Sequence, residues 1–260
     1  MYSKLFNWDK KQVILIISSG RTGTNFMAHW FSTLSDEFYS VHEPSPDLFQ
    51  LGIEKYRNKK KITPNLLKIK RSLQLYKLNK ERKEIYIESN PYLMLLLPEL
   101  NKLFKNLKII FIKREFESYL LSAINKSPDN SNINFFYSDT DPRKRITPID
   151  FNDSEYQELW NNFSREEKIA WRWKKSNEII DQYKLKHNNS IVINYEELFN
   201  KDNENLLYDI LNFIGLKQIK LSANDLAHFK VKKNENKIKI ISQFDELDDN
   251  LKTRLYAMIN

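Results

Sequence analysis

Residues 16–27, IISSGRTGTNFM, gather side chains suited to one task, the holding of an oxyanion. Two of the chain's four glycines, Gly20 and Gly23, lie here between the apolar run Val13 to Ile17 and a helix-like pattern. Amides at a helix N-terminus point outward with partial positive charge, and glycine lets the backbone wrap closely round a phosphate. Thr22, Thr24 and Asn25 add short side-chain donors, and Arg21 adds a permanent planar charge. A Walker A loop requires glycine followed by lysine and then serine or threonine. Here Gly23 is followed by Thr24 and Asn25, so the pattern is not that of an ordinary ATPase. The structural alternative is a plain strand-to-helix turn with a capping threonine.

The second stretch with chemical content is LKIIFIKREFESYLLSA, residues 107–123. It reads as a strand ending in Lys113-Arg114 and then a helix in which Ser122 lies eight residues past the arginine. A charge at the carboxyl end of a strand points into the crevice where open α/β sheets bind ligands. Arg114 and Ser122 together could hold a second phosphate.

These two stretches resemble the signatures of sulfotransferases that use 3′-phosphoadenosine 5′-phosphosulfate (PAPS). The first signature is a strand and a turn of Lys or Arg, Ser, Gly, Thr, Thr; RTGTN, Arg21 to Asn25, is similar, with Thr22 and Asn25 as hydrogen-bonding replacements. The second is a strand, an arginine and a serine eight residues on, matched by Arg114 and Ser122, although the usual Arg-Asp-Pro is Arg114-Glu115-Phe116. Two weaker echoes follow in the family's order: AWRWKKSNEII (170–180) and IVINYEELF (191–199). The resemblance runs from about residue 13 to residue 200 and does not cover the final sixty.

The resemblance implies a P-loop NTPase-like fold and PAPS as co-substrate. It puts Arg21, Thr22, Gly23, Thr24 and Asn25 on the 5′-phosphosulfate, Arg114 and Ser122 on the 3′-phosphate, and Tyr195 near the adenine. Sulfuryl transfer is mostly positioning and electrostatics, and an arginine at position 21 would stabilise developing charge rather than donate a proton. In YSVHEPSP (39–46), Glu43-Pro44 is similar to the Glu-Pro of the glycan-modifying branch, whose glutamate serves as base; His42 is the rival, since other branches use histidine. IESNPYL (87–93) resembles that branch's Glu-Lys-Ser-Pro, with Ser89 in place of lysine and Glu88 as a residue that lines the pocket or caps the next helix. The implied acceptor is a hydroxyl, on a carbohydrate, glycolipid or small molecule. No metal is required, and no His, Cys or acidic cluster has familiar ligand spacing. His29, His187 and His228 receive no role, Trp171 and Trp173 read as core, and Lys230, Lys232 and Lys233 read as a solvated run that could grip the nucleotide.

The elements that must position these groups alternate. Val13 to Ile17, Phe38 to Val41, Ile85 to Ile87, Ile109 to Ile112 and Ile191 to Ile193 are short apolar runs of the kind found in buried parallel strands. Between them lie helical patterns: Phe26, Met27, Trp30, Phe31 and Leu34; Leu66, Leu67, Ile69, Leu73 and Tyr76; Ile169, Trp173, Ile179 and Ile180. Strand–helix alternation predicts a single α/β domain over residues 1–260, a central parallel sheet flanked by helices, with the second strand beside the first. Residues 126–150 read as a long loop or lid, and 221–260 as an unassigned segment ending in one apolar stripe.

Composition bounds the function. With 41% hydrophobic and 13% aromatic residues the chain can build a large core. The absence of cysteine excludes disulfides and thiolate chemistry. No stretch has the roughly 18 apolar residues of a membrane span, and the start lacks a secretory core, so a cytoplasmic protein is expected. The net charge of +8 favours anionic partners. A P-loop kinase and a basic nucleic-acid binder are the rival classes; the missing Gly-Lys-Ser/Thr counts against the first. Aromatic residues at core spacing, not interleaved with lysines, count against the second, so no nucleic acid is expected.

Overall fold

The computed structural model describes residues 8–126, 135–200, 202–230 and 240–260. Its five strands are β1 (Gln12–Ser18), β2 (Phe38–His42), β3 (Ile85–Ser89), β4 (Leu107–Lys113) and β5 (Ser190–Asn194). They form one all-parallel sheet in the order β2-β3-β1-β4-β5. The principal helices are α1 (Thr24–Leu34), α2 (Phe49–Arg57), α3 (Pro64–Lys70), α4 (Ser72–Lys80), α5 (Leu97–Leu103), α6 (Phe116–Ile124), α7 (Arg165–Lys186), α8 (Glu204–Ile214), α9 (Ala223–Lys230) and α10 (Asp249–Ile259).

Period-2 alternation divides each strand between two cores. Val13, Leu15 and Ile17 of β1 pack on the side that holds α2 to α7 and α10. Ile14 and Ile16 pack on the side that holds α1 and α8. Both faces are covered, which is why the strands read as continuous apolar runs.

The strand order corrects one expectation. β2 is not beside β1; β3 lies between them and pairs with both. The burial explains the exchange. Every residue of β3 is buried, whereas only Phe38 of β2 is, so β3 belongs inside the sheet and β2 at its edge.

The run from Leu66 to Tyr76 is also two helices, not one core-facing helix. Leu67 is buried, but Ile69, Leu73 and Tyr76 face solvent. The inward positions are filled instead by Leu67, Arg71, Gln74, Leu75 and Leu78. The apolar spacing fitted a helix, but it marked the face opposite the core.

The C-terminal segment completes the second and first cores in turn. Phe229 of α9 meets Phe26 and Trp30 of α1 edge-on, at 4.7 and 5.1 Å. α10 packs along α7, where Arg254 donates to Glu167 at 2.8 Å. Among the described residues no helix is long and apolar enough to cross a membrane.

Candidate active site

The turn after β1 is built from backbone that few residues adopt. Gly20, Arg21 and Gly23 all have positive φ, of 90°, 58° and 73°. Gly20 donates its amide to Ser18 Oγ at 3.0 Å, which closes the turn. Gly23 caps α1 in the left-handed conformation, and no side chain caps the helix. The amides of residues 21–26 therefore donate to no acceptor among the described residues, which leaves a concave row of N–H groups at the end of a helix dipole. Thr22 is fully buried with an unpartnered Oγ1. A Cβ on Gly23 would lie 2.5 Å from the Phe199 ring, so the turn is wedged against the segment that follows β5. Asn25 is exposed and Thr24 buried, its carbonyl accepting from Ser89 Oγ at 2.6 Å.

Arg114, at the end of β4, meets this turn directly. Its Nη1 donates to the Arg21 carbonyl at 2.5 Å and its Nε to Ser118 Oγ at 2.9 Å. Its guanidinium lies 4.1 Å above the Tyr195 ring, and Trp173 Nε1 holds its own carbonyl at 2.8 Å. Trp173 is thus a buttress of the site as well as part of the core. The Arg21 side chain crosses to α6, where Nε donates to Ser122 Oγ at 3.1 Å and to the Ser122 carbonyl at 3.2 Å. Ser122 accordingly meets Arg21, and the serine that touches Arg114 is Ser118. Four residues of helix separate the two hydroxyls by a rise of about 6 Å. Neither arginine forms a direct ion pair with a carboxylate among the described residues, although Ser118, which accepts from Arg114, donates in turn to Glu196 Oε1 at 2.9 Å. Lys113 turns away to Asp181 at 2.5 Å. Burial pulls the Arg21 guanidinium below the ordinary arginine range, and the Arg114 charge pulls it further; burial lowers Arg114 as well.

Glu43 and His42 stand on the other side of β3. Two strand spacings put the end of β2 about 10 Å from that of β1. Ser89 bridges the gap. Its carbonyl accepts the Glu43 amide at 3.1 Å and His42 Nδ1 at 2.9 Å, while its hydroxyl holds α1 through Thr24. A carbonyl can only accept, so Nδ1 carries the proton and Nε2 is the nitrogen left for acid–base work. His42 Nε2 lies 3.7 Å from Glu43 Oε1. Glu43 has a φ of 42°, which aims its side chain out of the strand line. Its other oxygen lies 4.0 Å from Arg143 Nη1, and Arg143 donates to the Tyr92 hydroxyl.

Glu88 is no pocket-lining residue. It is buried at 1% exposure, held by Arg71 through Nε at 2.8 Å and Nη2 at 2.6 Å, and by Tyr86 and Asn90. Burial and then the Glu88 charge hold the Tyr86 hydroxyl well above its ordinary pKa. Arg71 also donates to the Pro46 carbonyl at 2.7 Å, and Gln74 to that of Ser45 at 2.7 Å, so this network anchors the loop after Glu43.

Sequence reasoning missed Ser89 as a bridge, and it missed Arg143, Tyr92, Arg71 and Arg172. Arg172 lies buried behind the turn, its Nη2 donating to the Ser19 carbonyl at 3.1 Å. Its position inside the AWRWKK stretch was the one available signal. His29 and His228 meet edge-on at 5.8 Å, remote from these contacts, and the His187 ring packs on Tyr183 at 4.3 Å. Lys232, Lys233 and the side chain of Lys230 lie outside the described residues. Among the described residues no group of three or more His, Asp or Glu side chains could hold a metal ion.

Two solved structures share this architecture. A sulfotransferase domain from the curacin biosynthetic pathway superposes with a TM-score of 0.50 at 15% identity, covering 86% of this chain and 80% of that one. Sulfotransferase STF1 from Mycobacterium tuberculosis H37Rv superposes with a TM-score of 0.52 at 12% identity, covering 88% of this chain and 73% of that one. The chain has the sulfotransferase fold. No family model and no curated protein matches its sequence. Within the sulfotransferase fold, the turn after β1, the end of β4 and the end of β2 form one continuous rim at the carboxyl edge of the sheet, where open α/β folds take their ligands.

Proposed function

We propose that this protein is a PAPS-dependent sulfotransferase acting on a hydroxyl acceptor. The observation that carries the reading is the convergence of Arg21 and Arg114, two half-buried cations joined through the Arg21 carbonyl, neither in a direct ion pair with a carboxylate among the described residues. Like charges held near each other in a partly desolvated cleft are favoured by a bound anion. The open amide row of residues 21–26 and the buried, unpartnered Thr22 hydroxyl fit an oxyanion for the same reason.

In this reading the amides of the turn, Thr22, Thr24, Asn25 and Gly23 hold the 5′-phosphosulfate. Arg114 and the α6 hydroxyls Ser118 and Ser122 hold the 3′-phosphate, and Tyr195 packs near the adenine. PAPS supplies an activated sulfuryl group. The acceptor oxygen forms a bond to sulfur as the bond from sulfur to the bridging phosphate oxygen breaks. Arg21 stabilises the charge that develops on that oxygen. Glu43 takes the acceptor proton, with His42 Nε2 as the alternative base, and adenosine 3′,5′-bisphosphate leaves. Arg143 and Tyr92, beside Glu43, face the acceptor, which belongs to the class of carbohydrate, glycolipid or small-molecule alcohols.

The test is transfer of labelled sulfate from PAPS to a panel of hydroxyl acceptors. Turnover that Glu43→Gln reduces at least a hundredfold, while PAPS binding is kept, supports the reading. Magnesium-dependent ATP turnover with no PAPS binding contradicts it.

A further inference from the structure

We propose that the outward face of the near-continuous α3–α4 pair docks on an anionic lipid bilayer. Ile69, Leu73 and Tyr76 are 69%, 46% and 52% exposed, three large apolar side chains within eight residues of one another. The helical register runs through the break at Arg71, because Arg71 donates its amide to Leu67 and Leu75 donates to Arg71. At 100° per residue the three therefore share one face, opposite the buried Leu67, Leu75 and Leu78. Lys70, Lys77 and Lys80 are exposed around the same stripe, and none pairs with a carboxylate among the described residues.

The combination selects the partner. A polyanion such as a nucleic acid needs the cations and gains nothing from exposed isoleucine and leucine. A bilayer interface takes both, with apolar side chains entering the acyl boundary, a tyrosine ring at headgroup depth and lysines reaching up to lipid phosphates. The pair of helices is a firm platform for such contact. Its inner face is fixed to the sheet by the Arg71–Glu88 pair and to the loop after Glu43 by Arg71 and Gln74.

The experiment is co-sedimentation of the full chain with vesicles of phosphatidylcholine alone and with phosphatidylglycerol added, without PAPS or acceptor, so the outcome is independent of sulfuryl transfer. The wild type is expected to sediment with the anionic vesicles only. The variant Lys70→Gln/Lys77→Gln/Lys80→Gln is expected to bind about a hundredfold more weakly, near fivefold per lysine. The variant Ile69→Ser/Leu73→Ser/Tyr76→Ser is expected to lose binding with its melting temperature kept, since the three side chains are exposed. No binding to anionic vesicles overturns the proposal. So does binding that the serine variant retains in full, particularly if duplex DNA competes equally, because the surface is then a polyanion site.

Discussion

Arg21 combines a left-handed backbone, uncommon outside glycine, with a side chain tied to α6. Its carbonyl serves Arg114, so one residue links both halves of the proposed anion site. Arg21→Ala is expected to lower the turnover of sulfuryl transfer by about 10²–10³-fold while the protein stays folded, as steady-state kinetics with a melting control would read. An unchanged turnover would remove Arg21 from the chemistry. Gly23 is constrained twice, by its φ of 73° and by the Phe199 ring. Gly23→Ala is expected to destabilise the fold by about 2–3 kcal/mol in denaturant titrations, with Phe199→Ala in the same chain relieving part of the loss. If the double variant is no more stable than the single, the wedge is not what confines position 23.

At the scale of elements, α7 carries the buttress of the site, Trp173 and Arg172, and is held by its first turn. Ser164 accepts from the Glu167 amide at 3.3 Å and Glu167 returns a bond to the Ser164 amide at 2.8 Å. Ser164→Ala is expected to cost about 1 kcal/mol. Burial alone would raise the Glu167 carboxyl, but hydrogen bonds from Arg254 and Ser164 outweigh it and hold the group below the ordinary carboxylate range. The folded value is depressed, so this contribution is present above the unfolded carboxylate range and is lost as pH falls through the folded value. Denaturant midpoints should therefore fall between about pH 5 and pH 3 in the wild type, and fall less in Arg254→Ala. An identical slope in both would separate Arg254 from the effect. Elements were the most legible level of the sequence. All five strands stand out as short apolar runs because a parallel sheet covered on both faces needs them so. The break at Arg71 was not legible, because the apolar stripe of Ile69, Leu73 and Tyr76 has core spacing yet faces water, and an arginine takes the inward position. That choice depends on Glu88, whose side chain reaches it only once β3 is in the sheet.

At the scale of the molecule, the strand order decides what the sequence could and could not reveal of the site. The placement of Arg21 and Arg114 at the ends of β1 and β4 was legible because each stands at a fixed offset from its own strand, whereas the expected pairing of Ser122 with Arg114 was not, since Ser122 meets Arg21 and Ser118 meets Arg114. Ser89 was not, since its part depends on β3 standing between β1 and β2. Arg143 was not either, because it comes from an irregular stretch with no period to place it. The buried Glu88–Arg71 pair ties the edge of the sheet to the loop after Glu43. Glu88→Gln leaves a buried guanidinium without its charge partner and is expected to cost about 3–5 kcal/mol, a fall of about 10 °C in melting temperature by calorimetry. A shift within error would mean that the pair contributes no net stability.

The central claim is that Arg21 and Arg114 join two anion sites into one nucleotide cleft. Calorimetric titration with adenosine 3′,5′-bisphosphate and with adenosine 5′-monophosphate tests it most directly. The account predicts that the bisphosphate binds at least about tenfold more tightly, from the charge-assisted contacts of the second phosphate, and that Arg114→Ala abolishes the difference. Equal affinity for the two nucleotides in the wild type would contradict it.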